Sequence, residues 1–327
     1  MRSLRDLAPN PRRRPGALLL ALALPLAGCA ADPGRPGATP PASSPTAAGA
    51  TATAGPGTRE RIRVDGRTRD YLLHRPAGAG PRPLVVAFHG RGSDAAGLRE
   101  QTRLEKAAAA RGMLVAYPEG LGRGWGAGTW KTKRRPDPGL DVRFTEALVG
   151  HLVRTGLADP ERVYVAGFSN GGSMALRVAA ERPGLVAGAA SVSGQLPSGA
   201  AAVEPTGPVP VMVVYGADDP VRPLAGWPSP PPDPEEPILP TRSARDSAEA
   251  FAAAGRAGRP VTERERGYDR TVWRLGGDPA GTVQLLVVHD AGHTWPGSSL
   301  TPPTGFGRTS GALDATGTVL DFFAAGR

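Results

Sequence analysis

The sequence predicts an α/β fold with a mostly parallel, doubly wound sheet that begins with an antiparallel hairpin. Short apolar runs alternate with helix-forming stretches along most of the chain, which is the pattern of parallel strands joined by crossover helices. Near the start, two strand-like runs flank Asp65 and Gly66, a pair that favours a tight hairpin turn. In the middle, an apolar run leads directly into a glycine-flanked serine, Ser169, and then into helix formers. These three observations favour one open α/β domain.

The elements follow in order from these patterns. The hairpin takes the two short runs on either side of the Asp65-Gly66 turn, at residues 62–64 and 71–74. Short apolar runs predict buried strands at residues 84–88, 113–117, 163–168, 185–190, 209–215 and 283–289. Helix-forming stretches predict helices at residues 102–111, 141–155, 243–254 and 315–323, and one more directly after Ser169.

The N-terminal region predicts a lipoprotein signal. Arginines at positions 12–14 precede an apolar run at residues 17–26, which is too short to span a bilayer as a retained helix. The run ends in Leu-Ala-Gly-Cys, and Cys29 is the only cysteine of the 327 residues. We therefore expect residues 1–28 to be a signal peptide and Cys29 to carry a lipid that anchors the mature protein in the cell envelope, outside the cytoplasm. The alternatives are an ordinary secretory signal with an incidental cysteine, and a buried cysteine of a cytosolic enzyme.

Two further regions follow, a tether at residues 29–57 and one α/β domain at residues 58–327. The tether consists mainly of Ala, Pro, Gly, Ser and Thr, so it cannot bury enough apolar surface to fold. The net charge of the chain is +9, and removal of the signal peptide, with five arginines and one aspartate, leaves +5. The basic run at residues 131–135 lies among glycine and proline, and we expect a solvated loop there rather than a nucleic-acid site.

The most informative motif is Gly167-Phe-Ser-Asn-Gly171, because a strand-like run precedes it and a helix-forming stretch follows it. In this arrangement a serine occupies a sharp strand-to-helix turn that exposes its hydroxyl, and glycine is needed on both sides because a Cβ would collide with neighbouring backbone. Ser169 is therefore the candidate nucleophile.

Two later strands end in loops that carry the partners of such a serine. A serine hydroxyl needs an imidazole that accepts its proton and a carboxylate that orients the imidazole. His293 follows the last predicted strand, and Asp218 and Asp219 follow the strand before it. In open α/β sheets these strand ends form the ligand-binding edge. The sequence alone leaves open which of the two aspartates faces His293.

The loop after the first predicted parallel strand, His89-Gly-Arg-Gly-Ser93, predicts an oxyanion hole. Such a loop supplies one backbone N–H, and the residue after the nucleophile supplies the other. We assign the amides of Arg91 and Asn170 to these positions. Gly90 is the alternative to Arg91.

Together these motifs resemble the polyhydroxybutyrate depolymerase and feruloyl esterase-like branch of the α/β-hydrolases, which includes many bacterial lipoproteins. The resemblance spans residues 59–323. It is carried by His89-Gly90, by Ala116-Tyr-Pro-Glu-Gly120 with Trp125 after it, and by Asp141-Val-Arg-Phe144, Gly167-Phe-Ser-Asn-Gly-Gly172, Asp219-Pro-Val-Arg-Pro223 and Gly292-His-Thr-Trp-Pro-Gly297. It implies an α/β-hydrolase fold and hydrolysis of carboxylic esters through an acyl-enzyme. The substrates that it implies are polyhydroxyalkanoate-type oligoesters or feruloyl- and acetyl-type esters. It also favours Asp219 over Asp218 as the acid.

The chain departs from this family in two respects. Many relatives have cysteines near the oxyanion loop and the tryptophan loop, where this chain has Arg91 and Gly128-Thr129. A disulfide that stiffens the cleft is therefore not expected. Relatives that degrade solid polymers often carry a separate binding module, and no such module is visible in this sequence.

Three tryptophans near the predicted catalytic loops are candidates for the substrate-binding walls. Trp125, Trp130 and Trp295 each supply a large apolar area, although we expect one of the three to pack into the core instead. The proline-rich segment at residues 223–240, which contains Trp227, follows the acid loop directly. It either overhangs the cleft or forms a disordered surface insertion, and both interpretations stay open.

No metal and no cofactor are expected. His289 and His293 are four residues apart, but they lie across a strand end and a loop rather than along a helix, and no H-E-x-x-H arrangement is present. His74 and His151 receive no role.

The sequence thus predicts a secreted, lipid-anchored serine esterase whose partners are an ester substrate and a membrane, reached through Cys29. One alternative is a peptidase or acyltransferase that uses the same triad, because the triad determines acyl transfer but not the leaving group. The other is a non-catalytic envelope-binding lipoprotein.

Overall fold

The computed structural model describes residues 57–230, 237–276 and 281–326. The predicted signal peptide, the predicted lipidation site Cys29 and the tether up to residue 56 lie outside these residues, as do residues 231–236 of the proline-rich segment. Among the helices of the described part, none has both the length and the apolar character needed to cross a membrane.

Within the described residues the chain forms ten strands and six α-helices. The strands are β1 (Thr58–Val64), β2 (Arg67–His74), β3 (Arg82–Phe88), β4 (Leu114–Pro118), β5 (Ala158–Phe168), β6 (Gly188–Val192), β7 (Val211–Gly216), β8 (Val261–Glu265), β9 (Tyr268–Arg274) and β10 (Thr282–Val288). The helices are α1 (Ala95–Thr102), α2 (Leu104–Ala110), α3 (Leu140–Arg154), α4 (Asn170–Glu181), α5 (Ala244–Ala254) and α6 (Ala315–Ala325).

All ten strands belong to one sheet with the order β1-β2-β4-β3-β5-β6-β7-β10-β9-β8. Its six inner strands run parallel, and an antiparallel pair completes the sheet at each end. At the first edge the Asp65-Gly66 turn has positive φ at both positions, 50° and 75°, as a two-residue hairpin requires. The predicted hairpin and the mostly parallel sheet are confirmed.

Alternate residues of the inner strands face two separate hydrophobic layers. Leu84 and Val86 pack on the face that α3, α4 and α5 cover, whereas Val85 and Ala87 pack on the face that α1, α2 and α6 cover. All four side chains are buried. Because both faces of a parallel sheet must be covered, these strands are apolar throughout rather than alternating. The predicted doubly wound architecture is confirmed.

Two of the differences between predicted and observed bounds have a visible structural cause. The helix expected at residues 102–111 is α2, which begins only at Leu104 because Arg103 adopts the left-handed conformation with φ 49°, and α1 before it was not predicted. The strand expected from residue 185 begins at Gly188, because the chain leaving α4 first forms a turn in which the Leu185 amide bonds to the Arg182 carbonyl.

One hairpin was not predicted at all. The strands β8 and β9 extend the sheet beyond β10, and every residue of β8 is exposed. A strand whose side chains all face solvent carries no apolar run, so the rule that finds buried strands does not find it.

Candidate active site

The loop between β5 and α4 forms a strained turn with Ser169 at its apex. Ser169 has φ 55° and ψ −118°, a conformation that a residue with a Cβ rarely adopts. The turn is held on both sides, because the Ser169 amide donates to the Val192 carbonyl (2.8 Å) and the Ser173 amide donates to the Ser169 carbonyl (3.0 Å). The hydroxyl is thereby carried at the carboxyl end of a central strand.

The two flanking glycines are required by backbone contacts. A Cβ on Gly167 would collide with the Gly171 carbonyl, and a Cβ on Gly171 would collide with the carbonyls of Phe88 and His89. In each case the obstacle is backbone, which cannot move aside as a flexible side chain can. The motif Gly-x-Ser-x-Gly therefore reflects close packing of three chain segments around the serine.

Ser169, His293 and Asp219 form a continuous hydrogen-bonded chain. His293 Nε2 lies 2.8 Å from Ser169 Oγ, and His293 Nδ1 lies 2.7 Å from Asp219 Oδ2. The His293 ring is also packed between the rings of Phe168 and Phe306, and its side chain is 2% exposed. A carboxylate can only accept hydrogen bonds, so Nδ1 carries the proton and Nε2 is free to accept the serine proton.

The structure distinguishes the two candidate aspartates by geometry. The second carboxylate oxygen of Asp219, Oδ1, accepts from the amides of Val221 (2.9 Å) and Arg222 (2.8 Å), so both oxygens of this buried group are hydrogen-bonded. Asp218 is exposed, and its backbone amide donates to the Ala291 carbonyl. The carboxylate that reaches His293 is therefore that of Asp219.

The predicted oxyanion loop is fixed by a buried histidine. His89 Nδ1 donates to the Gly90 carbonyl (2.8 Å), and His89 Nε2 accepts from the Gly120 amide (3.0 Å). Burial lowers the pKa of His89, which keeps the ring neutral and suits its donor and acceptor roles. The Trp125 indole N–H donates to the His89 carbonyl (2.9 Å), which holds the loop from a third side.

The two amides assigned to the oxyanion hole lie on this loop and at the start of α4. Asn170 is the first residue of α4, so its amide is one of those that the helix leaves without an intrahelical acceptor. Arg91 lines the same cavity as Ser169 and Asn170. The next two amides of the loop are committed to its own fold, since Gly92 donates to the Arg123 carbonyl and Ser93 donates to the Gly90 carbonyl.

The segment between β4 and α3, residues 119–139, is here called the tryptophan loop. Its backbone is tied to the nucleophile helix α4 at two places. The Asn170 side chain accepts from the Trp125 amide (2.7 Å) and donates to the Trp125 carbonyl (3.0 Å). Two turns further along, the Arg177 guanidinium donates to the carbonyls of Gly126, Gly128 and Pro138. The loop is thus stabilised by side-chain to backbone hydrogen bonds.

The expectation that residues 131–135 form a solvated loop is wrong for Arg135. Lys131, Lys133 and Arg134 are exposed, but Arg135 is buried, and its Nε lies 2.6 Å from a carboxylate oxygen of Asp141. The reason is that Asp141 at the start of α3 is itself buried and binds two cations, since Arg69 approaches its other oxygen at 3.0 Å. Burial would raise the pKa of Asp141, but the attraction of Arg135 and Arg69 outweighs it and holds that pKa below its ordinary value.

Ser169 and His293 are among the residues that line a cavity of about 780 Å³. All three predicted tryptophans touch it, but Trp125 and Trp295 are only 3% and 1% exposed, and their indole N–H groups donate to His89 and Thr316. They therefore pack mainly as core residues at the cavity floor. Trp130 is half-buried and presents more of its surface.

The proline-rich segment after the acid loop contributes one wall of the cavity. The sequence alone did not show whether this segment lies over the cleft. Its described ends are pinned together, because Trp227 and Thr241 exchange two backbone hydrogen bonds of 3.1 and 3.0 Å. Trp227, Ile238 and Leu239 line the cavity. The described parts of the segment therefore lie along the cleft, while residues 231–236 are outside the described residues.

The two histidines that were candidates for metal binding, His289 and His293, bind different partners. His289 pairs with Asp269 at 3.2 Å, whereas His293 is bonded to Ser169 and Asp219. Across the described ranges no group of three or more His, Cys, Asp or Glu side chains is arranged to hold a metal ion.

Comparison with known proteins finds esterases among the relatives of this sequence. The chain is 40% identical to "Putative esterase NocK" of Nocardia uniformis subsp. tsuyamanensis, in an alignment that covers 94% of this chain and 97% of that protein. It is 29% identical to "Bifunctional acetylxylan esterase/xylanase XynS20E" of Neocallimastix patriciarum, over 49% of this chain and 22% of that protein.

A sequence profile and a solved structure agree with these matches. The profile of a family described as Phospholipase/Carboxylesterase matches residues 141–226, which include the elbow and the acid loop. The acetyl xylan esterase from Aspergillus awamori superposes with a TM-score of 0.57 at 18% identity, over 82% of this chain and 100% of that one, which shows a shared fold. The chain therefore belongs to the esterases of the α/β-hydrolase fold, enzymes that hydrolyse carboxylic ester bonds.

Proposed function

We propose that this esterase works through a serine acyl-enzyme, with Ser169 as nucleophile, His293 as proton acceptor and donor, and Asp219 as the group that orients His293. The observation that carries the proposal is the hydrogen-bonded chain from Ser169 Oγ through both nitrogens of His293 to Asp219, with lengths of 2.8 and 2.7 Å. Both distances lie within the reach that nucleophile activation by a general base requires.

In the first half of the reaction, Ser169 Oγ attacks the ester carbonyl carbon while its proton passes to His293 Nε2. Asp219 stabilises the imidazolium that forms. The amides of Arg91 and Asn170 donate to the oxyanion. When the tetrahedral intermediate collapses, the bond to the alcohol oxygen breaks and the alcohol leaves with the proton from Nε2. Water then attacks the acyl-enzyme by the same route, releases the carboxylic acid and regenerates the serine.

For the substrate, we propose esters with a short or an aromatic acyl group. The relative that is named an acetylxylan esterase supports an acetyl-type ester. The half-buried Trp130 and Trp227 along the cavity support an aromatic group of the feruloyl type, because an indole face packs well on a flat ring. Polyhydroxyalkanoate-type oligoesters are the second class, because the sequence resemblance implies them.

The test of the serine mechanism is labelling with a fluorophosphonate, which phosphonylates only an activated serine. We expect the wild-type enzyme to be labelled, and Ser169→Ala and His293→Ala to lose labelling together with at least about 10³-fold of the turnover of p-nitrophenyl acetate and butyrate. Ser310→Ala, which changes a serine outside the cavity, is the matched control. Labelling that persists in Ser169→Ala would refute the assignment. Amide turnover above ester turnover would favour the peptidase alternative.

We also propose that the enzyme acts outside the cytoplasm, anchored by a lipid on Cys29. Support comes from the sequence: the arginines at positions 12–14, the apolar run at residues 17–26, and the only cysteine of the chain at the end of Leu-Ala-Gly-Cys. The tether at residues 29–57 would separate the catalytic domain from the membrane surface.

A further inference from the structure

One wall of the catalytic cavity carries a guanidinium that the triad does not use. Arg222 lies three residues after Asp219 and lines the cavity together with Ser169 and His293. Its backbone is fixed on both sides, because its amide donates to Asp219 Oδ1 (2.8 Å) and its carbonyl accepts from the Tyr215 hydroxyl (3.0 Å). The side chain therefore starts from a rigid point beside the triad.

Arg222 is half-buried, and its guanidinium differs from those of the arginines that are buried in the described residues. Arg69, Arg135 and Arg177 each bind a carboxylate at 3.0 Å or less. The Nε of Arg222 is buried and has no hydrogen-bond partner. The nearest catalytic carboxylate, Asp219, is already committed through Oδ2 to His293 and through Oδ1 to two backbone amides.

A buried Nε–H without an acceptor is unfavourable in the empty enzyme. Burial lowers the pKa of Arg222, the nearby Tyr215 and Asp219 raise it, and the positive charge of Arg91 lowers it further. Arg91 is thus close enough for two cations to act on the same part of the cavity. A neutral alkyl or aryl group would leave the Arg222 Nε–H without an acceptor, whereas a carboxylate would accept from the fork of guanidinium donors.

We propose that Arg222 makes this esterase selective for esters that carry a carboxylate in addition to the ester bond that is cleaved. The substrate class is then a half-ester of a dicarboxylic acid, or the ester of an alcohol that bears an acid. This inference rests on the proposed serine mechanism at the same site. It adds Arg222 as a residue that determines specificity and leaves the roles of Ser169, His293 and Asp219 unchanged.

The test compares matched anionic and neutral esters. For the acyl side the pair is 4-nitrophenyl hydrogen glutarate and 4-nitrophenyl valerate, and for the alcohol side it is 4-(butyryloxy)benzoate and phenyl butyrate. We expect the wild-type enzyme to prefer the anionic member of one pair by at least about 10-fold in kcat/KM, and the pair that shows the preference identifies the side. Arg222→Met should lose at least about 10-fold of that ratio, and Arg222→Lys should retain part of it.

A distant arginine controls for the general loss of positive charge. Arg264 lies on the edge strand β8 with a side chain that is 84% exposed, and Arg264→Met should leave the anionic-to-neutral ratio at the wild-type value. If the ratio falls equally in both variants, long-range steering explains the preference and the inference is wrong.

Two readouts separate failure of the inference from failure of the serine mechanism. An enzyme that is labelled by fluorophosphonate and hydrolyses the neutral esters, but has the same ratio in wild type and Arg222→Met, keeps its mechanism and overturns the role of Arg222. Absence of labelling and of all turnover overturns the mechanism instead. If Arg222→Met does not fold, inhibition of the wild type decides on the side that the ester pairs identify. The anionic competitor, monomethyl glutarate for the acyl side or 4-hydroxybenzoate for the alcohol side, should inhibit at least about 10-fold more strongly than its neutral counterpart, methyl valerate or phenol, and equal inhibition refutes the inference.

Discussion

At the scale of single residues, the two adjacent aspartates of the acid loop allow a matched comparison. Asp219 bonds to His293 and accepts two backbone amides, whereas Asp218 is exposed on the same loop. We expect Asp219→Asn to lower kcat by about 10³- to 10⁴-fold, because an amide no longer selects the tautomer that leaves Nε2 able to accept a proton. Asp218→Asn should stay within about 3-fold of the wild type. Steady-state kinetics on one p-nitrophenyl ester measure both, and equal losses would mean that His293 is oriented by another group.

A second residue-scale prediction concerns stability rather than catalysis. His74 is buried at the end of β2, and neither ring nitrogen has a hydrogen-bond partner. Replacement of an unsatisfied buried polar ring by an apolar side chain removes a desolvation penalty. We expect His74→Leu to raise the free energy of unfolding by about 1 kcal/mol at pH 7.5, measured by urea denaturation.

The same variant should change how stability depends on pH. Burial lowers the pKa of His74 in the folded protein from its ordinary value of 6.5, so below that value the unfolded chain binds a proton that the folded chain resists. The wild type therefore loses stability as the pH falls from 7.5 to 5, and His74→Leu should lose less. The loss should not vanish, because burial also lowers the pKa of His89. Parallel curves for the two proteins would show that His74 does not contribute.

At the scale of elements, one side chain of α4 binds three backbone carbonyls of the tryptophan loop. Arg177 donates to three carbonyls of that loop and pairs with Glu181, while only 3% of its side chain is exposed. We expect Arg177→Met to lower the free energy of unfolding by about 3 kcal/mol, because it leaves buried carbonyls without donors. It should also raise KM, since the loop forms part of the cavity wall.

The control for Arg177 is a surface arginine of the same charge. Arg61 on β1 pairs with Asp70, but 71% of its side chain is exposed, and Arg61→Met should change the stability by less than about 0.5 kcal/mol. Urea unfolding of the three proteins measures the difference. Similar small effects for both variants would mean that water can replace Arg177 at the loop carbonyls.

The elements that were predicted best from the sequence are the strands that helices cover on both faces of the sheet. The inner strands are short apolar runs because helices cover both faces of the sheet, and such runs can be recognised locally. The β8–β9 hairpin was not predicted, because its outer strand is exposed and charged. The split between α1 and α2 depends on the left-handed Arg103, and arginine gives no local signal for that conformation.

At the scale of the whole molecule, the candidate site is assembled from loops at the carboxyl ends of the parallel strands. The elbow, the acid loop and the histidine loop could be predicted, because each follows a recognisable strand and carries a chemically specific residue. The buried Arg135 and Arg177 could not, because their burial depends on partners in other elements rather than on neighbouring sequence. The wall formed by Trp227 and Leu239 likewise depends on a bridge between residues 14 positions apart, Trp227 and Thr241.

The last prediction concerns the location of the whole protein and uses its single cysteine. If Cys29 carries a lipid, the full chain made in a host that processes lipoproteins should enter the detergent phase of a Triton X-114 separation and take up labelled palmitate. Cys29→Ser should appear in the aqueous phase without label. Its kcat/KM on a soluble ester should stay within about 2-fold of the wild type, because Cys29 lies outside the predicted catalytic domain at residues 58–327. A wild-type protein that is unlabelled and aqueous, with a mature N-terminus other than Cys29, would instead establish an ordinary secretory signal. A protein that retains Met1 and stays in the cytoplasm would exclude both.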